Sequence, residues 1–128
     1  MIKKEVTLCG KQVTLAYCFA TEIGYKILAE EECIDFIKEV FASIESNRMP
    51  DTKKSIMLII AAATAYAEFK GEDVPIDNKD IMYNASSVEI GNAIGVLVSM
   101  YVEFYKMPAG EEDKKPDEQE AAEDPKNA

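Results

Sequence analysis

The chain opens on a strand period. From Lys4 to Cys9 the apolar Val6 and Leu8 alternate with polar Glu5 and Thr7, the spacing of two expected of a half-buried strand. Gly10-Lys11 follows as a two-residue turn with glycine first, which suits a type II′ connection. Gln12 to Tyr17 then reads as the partner strand, with Val13, Leu15 and Tyr17 on one face. An isolated two-stranded hairpin is marginal in water, so this one is expected to pack on helices or to pair with further strands of another subunit.

From Phe19 the period becomes helical. Thr21 is the expected N-cap of a first helix whose apolar stripe is Ile23, Ile27 and Leu28. A second helix is predicted over Glu32 to Glu45, with Ile34, Ile37, Phe41 and Ile44 repeating at three and four. The break at Ser46 to Pro50 is followed by a third helix, capped by Asp51 or Thr52 and ended by Gly71. From Ile56 to Ala63 this helix is apolar all round, which predicts burial on every side. Asp77 is the expected cap of a short helix from Asn78 to about Asn84. Ser86 and Glu89 have capping-box spacing for a last helix from Ser87 to about Lys106. The fold class expected is α+β and mainly α: an N-terminal β-hairpin, then a bundle of four to five helices in one domain over residues 1–108.

Charge changes this picture at the C-terminal end. The net charge is −10, and residues 109–128 carry eight acids against three lysines, half of the total. That segment has no large aliphatic, aromatic or methionine side chain, so it is expected to be a disordered acidic tail. So acidic a chain should repel phosphate backbones and anionic membranes, which argues against nucleic-acid or membrane partners. The odd count of three cysteines and the lack of a secretory signal point to a reducing cytoplasm. The longest apolar run, Ile56 to Tyr66, is short for a bilayer of about 30 Å.

Candidate chemistry is sparse. The chain has no histidine, the commonest general base and metal ligand. Cys9, Cys18 and Cys33 form no Cys-x-x-Cys pair and read as packing residues rather than a zinc site. Glu30-Glu31-Glu32 reads as a solvated turn. No enzyme activity, catalytic residue, metal or cofactor is expected. Gly91, Gly95 and Ser99 make a small-residue stripe on the last helix, read as a close approach to Ala61, Ala62 and Ala65 in preference to an oligomer seam. The apolar and aromatic side chains Tyr66, Phe69, Met100, Phe104, Tyr105 and Met107 are the candidate partner-binding residues, able to line a groove for a partner helix.

In layout the chain resembles the tail assembly chaperones of long-tailed, siphovirus-like bacteriophages and prophages. The resemblance rests on the hairpin Val6-Thr7-Leu8-Cys9-Gly10-Lys11-Gln12-Val13-Thr14-Leu15, on Phe19-Ala20-Thr21-Glu22-Ile23-Gly24 directly after it, and on the helices and charged tail that follow. It spans most of residues 3 to 107. It implies a passive holding chaperone that binds the long helical tape measure protein, with tail tube protein as a further candidate partner, and that forms homo-oligomers in the cytoplasm of the bacterial host. In many such phages a ribosomal frameshift extends a minority product, and Lys114-Lys115 is a place where slippery codons could lie. The alternative classes are an acidic inhibitor that mimics nucleic acid and a structural or adaptor subunit, both acting through protein–protein binding.

Overall fold

The computed structural model describes residues 1–106. The expected acidic tail, and Met107 among the candidate residues, lie outside the described residues. The hairpin consists of β1 (Ile2–Leu8) and β2 (Lys11–Tyr17), followed by helices α1 (Phe19–Ala29), α2 (Cys33–Glu45), α3 (Thr52–Lys70), α4 (Asn78–Asn84) and α5 (Ser87–Lys106). The expected hairpin-plus-helices architecture is therefore present.

The hairpin turn sits one residue earlier than its glycine pattern predicts. The strands pair antiparallel with Leu8 opposite Lys11 and Val6 opposite Val13, which makes Cys9 and Gly10 the turn residues. Both have positive φ, 54° and 77°, the arrangement of a type I′ turn, whose twist matches that of the strands. Cys9 adopts that conformation while its backbone N–H donates to Glu89 Oε1 at 2.9 Å, and Gly10 N–H donates to Glu89 Oε2 at 3.2 Å. Glu89 also completes the expected capping box of α5: it accepts from Ser86 N–H at 3.1 Å, while its own N–H donates to Ser86 Oγ at 3.1 Å. One carboxylate thus holds both a helix start and the hairpin turn.

Alternate hairpin side chains meet different helices. On one face Val13, Leu15 and Tyr17 are buried, Tyr17 packs against Tyr101 and Phe104 of α5, and Lys4 pairs with Glu103 of α5 at 3.5 Å. On the other, the Lys3 ammonium lies 5.6 Å from the centre of the Tyr66 ring on α3. The hairpin and the helices share one core.

The helix ends follow their local chemistry. Asp51 caps α3 by accepting from Lys54 N–H at 2.9 Å, and Gly71 ends it with φ 74°. Asp77 and Asp80 form a capping box on α4. Thr21 is not the N-cap of α1; Cys18 is, and Thr21 takes the third helical position of that box. Its buried hydroxyl donates to Ala16 O at 2.7 Å and fastens α1 to β2. The acidic triplet is more than a solvated turn. Glu31 accepts from Tyr25 OH and from the Lys54 ammonium, and Glu32 pairs with Lys26.

Two predicted stripes depart from expectation; in α2 only Ile37 of the four stripe residues is buried. Helix α2 buries Cys33, Phe36, Ile37, Val40 and Ser43, leaving Ile34, Phe41 and Ile44 exposed. The large Phe36 decides its rotation by stacking on Tyr25 at 5.6 Å between ring centres. The stripe Gly91, Gly95 and Ser99 does not meet α3; all three are exposed, and a Cβ built on either glycine meets nothing within 4 Å.

The anchoring of Glu89 has a measurable consequence. Three backbone N–H donors, with Ser86 foremost, hold its pKa below the ordinary glutamate range. Its contribution to stability is therefore complete above about pH 4.3 and is lost as pH falls through the lower folded value. Glu89→Gln is expected to lower the urea midpoint at pH 7 and to lie much closer to the parent chain at pH 3. It should also destabilise more than Ser86→Ala, because only Glu89 holds the turn.

Candidate protein-binding surface

Helix α1 buries a narrow face. Thr21 and Tyr25 are buried, and Gly24 lets α1 approach α3 closely: a Cβ added there would lie 3.5 Å from Ala61 Cβ. With that contact on the inner side, Ile23, Ile27 and Leu28 project away from the core. They are exposed, Ile27 to 73%. The expected apolar stripe of α1 is therefore an outer surface, the opposite of a core face. An exposed aliphatic residue alone is ordinary, but these three adjoin further apolar surface.

Together with α3 they border two open cavities that share Leu28 and Ile60. One, of about 420 Å³, lies between α1 and α3 and is lined by Ile23, Ile27, Ile60, Ala61, Thr64, Ala65 and Glu68 among others. The other, of about 650 Å³, continues past Ile56 and Met57 to Lys53 on α3 and to Asn78 and Met82 on α4. The pair forms a groove along α3. The expectation that α3 is buried on every side holds for most of the helix, including Leu58, Ile59 and Ala62. It fails at the half-buried Met57 and Ile60, which line the groove.

The candidate residues read from the sequence divide. Met100 is 0% exposed and belongs to the core, so it is withdrawn as a partner-binding residue. Residues 97, 98 and 100 lie on the inward face of α5. Tyr66 is half-buried beneath the Lys3 ammonium. Phe69 is 69% exposed near the C-terminal end of α3. Phe104 is half-buried and packs on Tyr17 and on exposed Phe19. Tyr105 is 54% exposed, packs against Tyr101 and Phe104, and donates to Glu22 Oε2 at 2.7 Å. Among the described residues no ring contact joins Tyr66 or Phe69 to this α5 cluster, and the five described candidates do not all lie in one place. The sequence marks Ile23, Ile27 and Leu28 as the apolar stripe of α1 but not which way that stripe faces, so the groove was not legible in it. The available signal was Gly24 beside Tyr25, a small and a large residue of the kind a close helix contact uses.

Tyr17, Tyr105 and Cys33, in and beside the aromatic cluster, are held protonated at neutral pH. Burial, followed by its hydrogen bond with Cys33, pushes the Tyr17 phenol far up. Its hydrogen bond to Glu22 is the main cause that raises Tyr105 to about 12. Burial raises the Cys33 thiol to about 11, which keeps it from acting as a thiolate nucleophile near pH 7. Among the described residues no three His, Cys, Asp or Glu side chains are grouped to hold a metal ion. This surface offers apolar area and shape.

No protein-family model, curated protein or solved structure matches the chain.

The division between core and groove predicts opposite results for two apolar positions. Met100→Ala should lower stability by about 2–5 kcal/mol, the usual cost of opening a cavity in a packed core. Ile27→Asp should change it little, because that side chain is already in water. Paired urea denaturation curves would separate them.

Proposed function

We propose that this protein is a passive holding chaperone that shields the apolar stripe of a helical client, and that the client is the tape measure protein of a long-tailed phage. The observation that carries the holding reading is the open groove between α1, α3 and α4, bordered by aliphatic side chains that the fold leaves uncovered. Covering a fully exposed aliphatic side chain yields roughly 1.5–3 kcal/mol, so a helix laid along several gains enough to bind. A groove of this form suits an amphipathic helix, whose apolar residues recur on one face. The choice of client rests on the layout resemblance described above.

Holding of this kind needs no energy source. The client is kept from aggregating by mass action, and many copies along a long client add binding strength through multivalency. Copies would also contact one another in the host cytoplasm, with tail tube protein joining later. The net charge of −10 favours solubility of the loaded complex.

The test is light scattering of a tape measure segment diluted from denaturant, with and without the protein. The expected result is suppression of scattering without nucleotide by the parent chain. A variant carrying both Ile23→Asp and Ile27→Asp should lose most of it while keeping its thermal midpoint. Unchanged protection by that variant would remove the groove from the mechanism. Stoichiometric recovery of the chain from finished tails would favour a structural subunit instead.

A further inference from the structure

We infer that the groove selects a single helix of about four turns that carries an acidic residue at one end of its apolar stripe and a basic residue at the other. This rests on the holding reading above and specifies the segment held. Along α3 the groove runs from Lys53 to Glu68, fifteen residues, or about 22 Å at the rise of an α-helix. Its middle is aliphatic and its two mouths carry opposite charge. Neither Lys53 nor Glu68 joins an ion pair among the described residues, whereas the neighbouring Lys54 is held by both Glu31 and Glu39. The charges at the mouths are thus free to read the ends of an occupant, the acid beside Lys53 and the base beside Glu68.

Two occupants from this chain fit less well. Residues 109–128 bring no large aliphatic, aromatic or methionine side chain to cover the aliphatic middle. In a second copy, the exposed α2 ridge from Ile34 through Phe41 to Ile44 spans about 15 Å, leaving about a third of the groove empty. A separate helical client matches both the length and the end charges.

The experiment uses the full chain and three amphipathic peptides of about 15 residues sharing one apolar stripe. Their end residues are acid and base, acid and acid, or base and base. Binding is read by fluorescence anisotropy. The parent chain should prefer the acid-and-base peptide by about two- to fivefold, the range of an exposed ion pair, with the preference fading at high salt. Lys53→Glu should shift the preference to the base-and-base peptide and Glu68→Lys to the acid-and-acid peptide. Ile27→Asp should weaken all three. Equal affinity for the three peptides, still lost in Ile27→Asp, would overturn the charge rule and leave the holding reading intact. Binding unaffected by Ile27→Asp would overturn the groove as the site for both. An oligomer of the free chain dissolved by Ile27→Asp and by Phe41→Asp, seen by sedimentation, would assign the groove to a second copy and overturn the inference.

Discussion

A two-stranded sheet has too little surface of its own to be stable in water, and most of this structure follows from how the hairpin is covered. Its alternate side chains look to different helices, Lys4 and Tyr17 to α5 and Lys3 to α3. Both long helices are thereby committed to it, and the remaining elements pack around that arrangement. Helix α1 reaches α3 through the small pair Gly24 and Ala61, and the core beneath it through Tyr25. Such a narrow contact covers one side of α1 and leaves the other bare. The groove is the space left where α1, α3 and α4 meet without a further helix.

Most ends of elements were legible because they depend on local chemistry, the start of α1 at Cys18 being an exception. Asp51, Gly71, Asp77 and the Ser86–Glu89 pair each satisfy or terminate a particular backbone turn, and such signals need no knowledge of what lies across the core. Helix rotation was not legible in α1 or α2. Each has apolar residues on more than one face, and counting them favours the larger set. In α1 that set is Ile23, Ile27 and Leu28, yet Tyr25, buried against Phe36, is the large side chain that turns inward. Met100 reads as a partner-binding residue because the end of α5 is apolar and aromatic, and only the fold shows it buried. The turn slipped by one because a glycine suits either type of two-residue connection. Glu89, seventy-nine residues from Gly10, stabilises the one observed.

The surface left apolar is a liability as well as an asset. A protein that presents Ile23, Ile27, Leu28, Phe69, Met82 and Tyr83 to water invites self-association unless something opposes it. A large net negative charge does so between like molecules, while leaving the short-range fit to an uncharged stripe unaffected. Around the α5 cluster, Glu22 accepts hydrogen bonds from Tyr17 and Tyr105, so one carboxylate ties the end of α5 to the start of α1.

The clasp between the hairpin turn and α5 also bears on how the chain folds during synthesis. The contacts of Cys9 with Glu89 and of Glu22 with Tyr105 join residues 80 and 83 positions apart. Such distant pairings slow folding, because a long loop must close before they can form. On the ribosome the first strands emerge well before the helix that covers them, and their apolar face must wait for α5. The nascent N-terminal half is therefore itself an aggregation-prone chain until translation has passed the last helix.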